Sequence, residues 1–181
     1  MAELARVHHE LEETSRLDPV TGAGNRIRLR EDIRSVRARM GRLRHNNGLV
    51  VIDLDQFKRI NDGFGPLVGD SVLKAVVTVI KDTIRAEDAV YRFGGEEFLV
   101  LLRLNSVEDL ATAAERIRQA VVDAAIAHPR NEPSNVVTIS LGGVLVTPAD
   151  LSQTDDEWFA RADAALYRAK ANGRNRAEVA A

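Results

Sequence analysis

Asp53 and Asp55 stand where the apolar run 49–52 (Leu-Val-Val-Ile) gives way to a polar segment, and Glu96-Glu97 directly follow Gly94-Gly95. A carboxylate at the rim of a hydrophobic core carries a desolvation cost on the order of several kcal/mol unless a partner offsets it. If 49–54 is a strand and Glu96-Glu97 open a neighbouring strand over 98–102, Asp53 meets Glu96 or Glu97 at one sheet edge. Carboxylates gathered this way repel one another, and a divalent cation is the ordinary resolution. The chain has no cysteine, and no histidine lies beside these acids, so the donors are oxygens. That favours Mg²⁺ or Mn²⁺ over Zn²⁺. Mg²⁺ held by a few carboxylates takes substrate phosphates as its other ligands. Each feature also has a plain structural reading: Asp55 as the N-cap of a short helix over 56–61, Gly94-Gly95 as a hairpin turn, the glutamates as solvated. Their coincidence at one edge favours a site.

The elements that must position these acids follow from periodicity. Leu29, Ile33, Val36, Met40 and Leu43 step by four and three, which predicts a helix with one apolar stripe. The run 49–52 suits a strand buried on both faces. A helix over 66–86 turns Leu73, Val76, Val77, Ile80 and Ile84 inward. Segments 89–93 and 98–102 read as strands joined at Gly94-Gly95. A helix carrying Val107, Leu110, Ala114, Ile117 and Val121 on one face follows, then a strand or strand pair over 136–146. A last helix over 156–171 is closed by Asn172-Gly173. The core order strand, helix, strand, strand, helix, strand predicts an α+β fold, a ferredoxin-like (split βαβ), palm-type antiparallel sheet with helices on one face. Residues 1–16 read as a helical or coiled-coil stub, with Leu4, Val7 and Leu11 at heptad-like spacing. The turn-rich segment 17–24 marks the boundary to a domain over 17–176, which leaves a tail over 177–181.

Composition bounds the function. The 181 residues carry 25 Lys+Arg against 27 Asp+Glu, a formal net charge of −2. That length fits one domain with an appended helix. Near-neutral charge argues against a nucleic-acid partner, which normally demands a basic face. No apolar run approaches the ~18 residues of a membrane span, and the charged N-terminus does not read as a signal peptide. The absence of cysteine excludes a disulfide framework and makes a reducing cytoplasm the simplest compartment.

Five blocks of residues carry a family resemblance. Asp53-Leu54-Asp55-Gln56-Phe57-Lys58-Arg59-Ile60-Asn61-Asp62, then Gly69-Asp70, then Arg92-Phe93-Gly94-Gly95-Glu96-Glu97-Phe98 resemble the GGDEF family of diguanylate cyclases. The opening Leu17-Asp18-Pro19-Val20-Thr21-Gly22 and the closing segment 162–175, from Ala162-Asp163 to Arg174-Asn175, look like that family's two ends. The resemblance implies condensation of two GTP into cyclic di-GMP with loss of two pyrophosphates. It implies a homodimer in which each subunit holds one GTP. By the same likeness Asp53, Glu96 and the Leu54 carbonyl bind metal, with Glu97 beside them, and Glu96 helps deprotonate the attacking 3′-hydroxyl. Phosphoryl transfer needs charge neutralised at the oxygens and an in-line nucleophile, which is what such groups supply. Asn61 and Asp70 match the guanine-reading positions, and Lys58, Lys170 and Arg174 are the cations for the phosphates. Arg85-Ala86-Glu87-Asp88 resembles the family's RxxD product-inhibition site, with Arg116 as a second arginine.

Two departures and several alternatives stand beside this reading. Pro66 occupies a loop position where the family usually has histidine, and Gln56 replaces a frequent aromatic. Proline suits a helix start, so altered GTP affinity is expected, not an inactive site. In plain structural terms Asn61 is a loop residue, Asp70 an N-cap, Arg174 a helix cap, and Arg85/Asp88 an exposed pair. A non-catalytic sensor of cyclic di-GMP or GTP, and a palm-like cyclase or polymerase acting on another nucleotide, are the alternative functions. Regulatory domains usually precede this module, so the expectation is either a piece of a longer protein or a short cyclase dimerised by the helical stub.

Overall fold

A computed structural model describes residues 16–180, so all but Arg16 of the expected helical stub lies outside the described residues. Helix α1 (Arg26–Leu43) starts at Asn25, whose side-chain oxygen accepts from the backbone N–H groups of Ile27 and Arg28. It buries Leu29, Ile33, Val36 and Met40. Leu43, placed on the same stripe by its spacing, is exposed because the helix ends at Arg44 in the left-handed conformation. After it come strand β1 (Asn47–Leu54), helices α2 (Phe57–Phe64) and α3 (Pro66–Thr83), and strands β2 (Ala89–Arg92) and β3 (Glu97–Arg103). Then come helix α4 (Val107–Asp123), strand β4 (Ile139–Val146), a 3₁₀ turn (Pro148–Ser152), helix α5 (Asp155–Ala171) and strand β5 (Ala177–Val179).

The sheet order is β2-β3-β1-β4-β5. β1 is antiparallel to both β3 and β4, and β2 is antiparallel to β3, so β1 and β2 run parallel with β3 between them. That is the split βαβ arrangement, with β1 at the centre of the sheet and all of its residues buried.

Two expectations are corrected. Helices cover both faces of the sheet. Val50, Ile52 and Leu54 pack with α3 and α4 residues such as Val76, Ile80 and Ile117, while Leu49 and Val51 pack with Met40 of α1 and Trp158 of α5. α1 and α5 lie outside the six-element core order, so that order alone does not reveal the second helical layer. The tail over 177–181 contains β5, parallel to β4. It is tied on by Leu141 N–H to the Arg176 carbonyl (2.9 Å) and Ala180 N–H to the Gly143 carbonyl (2.7 Å). Three residues are too few to show a period. α5 lies directly on β4 at Gly142, where a Cβ would stand 2.2 Å from both the Ala162 carbonyl oxygen and the Leu166 nitrogen. Among the described residues no helix is long and apolar enough to cross a membrane.

Candidate active site

β1 delivers Asp53 to one end of the sheet, opposite Glu97 of β3 and Ser140 of β4. The Leu54 N–H reaches back to the Glu96 carbonyl at 3.4 Å. From the last turn of α5, Lys170 Nζ donates to Asp53 Oδ2. Asp53 Oδ1 is buried without a hydrogen-bond partner. Burial pushes the Asp53 carboxyl above the usual carboxylate range against the pull of Lys170, with Asp55 adding to the rise and Arg174 opposing it. Glu96 is raised by burial first and then by the charge of Asp53, with Lys170 opposing and Glu97 adding. Both carboxyls at the end of β1 are thus raised mainly by loss of solvent, which Lys170 offsets only in part.

Among the described residues no group of three or more His, Cys, Asp or Glu side chains is arranged to hold a metal ion. The donors on hand are the carboxylates of Asp53 and Glu96 and the Leu54 carbonyl. This hard-oxygen set suits Mg²⁺ or Mn²⁺, and the bare Asp53 Oδ1 is the atom such an ion would satisfy. Glu97 also closes the turn: its carbonyl accepts from the Phe93 and Gly94 N–H groups, and its carboxylate lies over Gly94.

The turn has its own supports, which sequence reasoning passed over. Arg92 Nη2 donates to the Gly95 carbonyl at 2.7 Å, and Arg92 Nη1 lies 3.3 Å from the Asp18 carboxylate. Asp18 in turn accepts from the Thr21 N–H and hydroxyl. Arg26 Nε donates to the Phe93 carbonyl at 2.6 Å while its guanidinium sits over the Phe93 ring. The available signal was an arginine and an aspartate each abutting a glycine- or proline-marked turn.

The cap reading of Asp55 is overturned. The N-cap of α2 is Gln56, at φ 57°, and it makes no side-chain cap. Asp55 is 4% exposed, and its carboxylate accepts from Thr138 Oγ1 (2.7 Å), Ser140 Oγ (2.6 Å) and the Asn175 N–H (3.0 Å).

Asn61 lies in α2, not in a loop, and its Oδ1 is buried without a partner. It packs over Gly69, where a Cβ would stand 1.9 Å from that oxygen. Glycine at 69 therefore leaves room for the Asn61 amide. Asp70 follows on α3, exposed and inside the helix, since α3 begins at Pro66 with Gly65 as its N-cap. The capping role for Asp70 is thus excluded, whereas Pro66 does start the helix. Lys58 is exposed on α2. Arg174 caps α5 through its backbone N–H, which donates to the Ala169 carbonyl at 3.0 Å, and its exposed guanidinium is near enough to act on Asp53.

Arg85, Asp88 and Arg116 line one separate pocket of about 240 Å³ with Arg103, Asp109 and Thr112. Asp88 is held there by the Arg85 N–H (3.0 Å) and the Arg103 N–H (2.9 Å). Arg103 pairs with Asn47 whereas Glu97 pairs with Asp53, so β3 separates this pocket from the acids by roughly 20 Å.

Comparisons with known proteins bear on the chain as a whole. Residues 15–176 match the family model described as "Diguanylate cyclase, GGDEF domain". The chain is 44% identical over 167 residues to the diguanylate cyclase DgcP of Pseudomonas aeruginosa, a match covering 90% of this chain and 24% of that protein. It is 35% identical over 178 residues to the probable diguanylate cyclase DgcC of Escherichia coli, covering 98% of this chain and 47% of that protein. The chain thus spans from about a quarter to about half of the length of these curated relatives. The solved coiled coil and GGDEF domain of DgcB from Caulobacter crescentus, in complex with c-di-GMP, aligns with a TM-score of 0.81 at 29% identity. That alignment covers 99% of this chain and 94% of the other.

Proposed function

The chain belongs to the GGDEF-domain family of diguanylate cyclases, and we propose that it condenses two GTP molecules into cyclic di-GMP with release of two pyrophosphates. The observation that carries this reading is the meeting of Asp53, Glu96 and Lys170 at the end of β1, with one oxygen of Asp53 buried and bare. Asp53, Glu96 and the Leu54 carbonyl, with Glu97 beside them, would hold Mg²⁺ or Mn²⁺. Bound there, the ion neutralises phosphate oxygens and makes a hydroxyl a better nucleophile.

The rest of the chemistry belongs to the chain's own side chains. Glu96, its carboxyl held up by burial, takes the proton of the attacking 3′-hydroxyl. Lys170, Arg174 and Lys58 offset the triphosphate charge, and Lys170 can turn to it from Asp53. Asn61 Oδ1 is an acceptor without a donor, and Asp70 is an exposed carboxylate one residue beyond the glycine under it. Together they suit the N1–H and exocyclic amine of guanine, a donor pair that adenine lacks. One copy holds one GTP, so two copies must meet as a homodimer to join the two nucleotides. Product stops the enzyme by binding Arg85, Asp88 and Arg116, whose planar guanidinium groups suit guanine edges and phosphates. The compartment is a cytoplasm that supplies GTP.

One observation favours a second reading: the Arg85–Asp88–Arg116 pocket is built apart from the acids, as a sensor of cyclic di-GMP would need. The two readings separate on turnover. Incubation with GTP and Mg²⁺, with products resolved by chromatography, gives cyclic di-GMP under the first, and ATP gives none. Binding of cyclic di-GMP with no GTP consumed at high protein concentration supports the sensor.

A further inference from the structure

Asp55 is an acid that the proposed chemistry leaves without a task. All three hydrogen bonds of its carboxylate point inward, and they tie together three separate parts of the chain. One is its own turn between β1 and α2, a second is the start of β4 through Thr138 and Ser140, and the third is the segment leaving α5 through Asn175. In that segment Gly173, Arg174 and Asn175 have φ of 112°, 63° and 45°. Two successive non-glycine residues hold left-handed backbone only where their surroundings fix it. Two further bonds flank the constraint: Arg174 N–H to the Ala169 carbonyl (3.0 Å) and Arg118 Nη1 to Asn175 Oδ1 (2.8 Å). Asp55 is the member that fastens this turn to the strand end bearing Asp53. The same turn carries Arg174, whose charge acts on Asp53.

We propose that Asp55 is a positioning residue: it fixes the turn 173–175 so that Arg174 faces the strand end bearing Asp53, and it acts on the substrate's phosphates only through Arg174. This rests on reading the end of β1 as a GTP site. A carboxylate with three donors and, among the described residues, no ion pair is suited to holding backbone in place, since most of its acceptor sites are taken by groups that do not leave.

The test is a double-mutant cycle on the whole chain, read as the dissociation constant of α,β-methylene GTP with Mg²⁺ by calorimetry. Asp55→Asn weakens the analogue by about tenfold, the usual scale for losing hydrogen bonds to a charged group. In an Arg174→Gln background the same change adds less than about twofold, because the residue it acts through is already gone. An undiminished tenfold loss in that background overturns the proposal, since it marks a purely structural residue. Thr138→Val removes one donor and keeps the carboxylate; a smaller loss with the same dependence on Arg174 supports the proposal even if Asp55→Asn fails to fold. A Thr138→Val loss independent of Arg174 overturns it. Absence of analogue binding by the unaltered chain overturns the GTP reading as well, whereas binding untouched by Asp55→Asn overturns this inference alone.

Discussion

Asp53 has one oxygen engaged by Lys170 and one bare oxygen, and this asymmetry sets how the site exchanges its cations. A lysine facing a buried acid competes with a metal ion for the same charge. Lys170→Met should therefore raise Mn²⁺ affinity in the absence of nucleotide at pH 8 and lower affinity for a GTP analogue. Each change is on the order of fivefold, the scale of a partly exposed ion pair. Electron paramagnetic resonance titration of Mn²⁺ reads the first and calorimetry the second; unchanged Mn²⁺ affinity would contradict the competition. Asp53 and Glu96 were legible in the sequence because an apolar run and a glycine pair each end in acid. The Lys170 contact spans 117 residues, so Lys170 was legible only through the family resemblance, as a phosphate cation, and its pairing with Asp53 was missed. Asp55 was misread for the same reason: an acid ahead of a short helix looks like a cap, while its donors lie 83, 85 and 120 residues away.

At the scale of elements, the close stacking of α5 on β4 positions Lys170. Gly142→Ala would drive a Cβ into the α5 backbone, which cannot yield as a flexible side chain would. A loss of about 3 kcal/mol in urea unfolding is expected, at the upper end of overpacking costs, with Lys170 displaced and GTP affinity reduced. α2 leans on the segment before β4, where His128 is fully buried, contacts the Gln56 carbonyl at 3.2 Å and has a bare Nδ1. Burial lowers the His128 pKa below its ordinary 6.5, Arg59 adding to the fall and the Gln56 carbonyl opposing it. The unfolded chain then binds a proton that the folded chain refuses, so stability is full above pH 6.5 and falls as pH drops towards the folded-state value. The slope cannot exceed about 1.4 kcal/mol per pH unit. His128→Gln should flatten urea-unfolding stability between pH 7.5 and 5.5; an unchanged slope would contradict this. Most helices were legible from their apolar stripes, whereas β5 was too short to show one. The second helical layer escaped because α1 and α5 cover a face that the core order does not require to be covered.

Across the whole molecule, a net charge of −2 conceals two places of opposite character, the acids at the end of β1 and the arginine pocket beside Arg103. The pocket shares β3 with the acids, and the proposed mechanism would need two such molecules to meet. Turnover should therefore rise more steeply than linearly with protein concentration, a dependence that initial rates over a hundredfold dilution series would read; strict proportionality would count against assembly as the limiting step. The central claim is that Asp53 and Glu96 form the working site of a GTP-condensing enzyme. Its most direct test compares the unaltered chain with Glu96→Ala, each given radiolabelled GTP and Mg²⁺ and each checked by thermal melting. Cyclic di-GMP is expected from the first and none from the second at the same melting temperature. Product from a folded Glu96→Ala variant at the unaltered rate, or none from the unaltered chain, would contradict it.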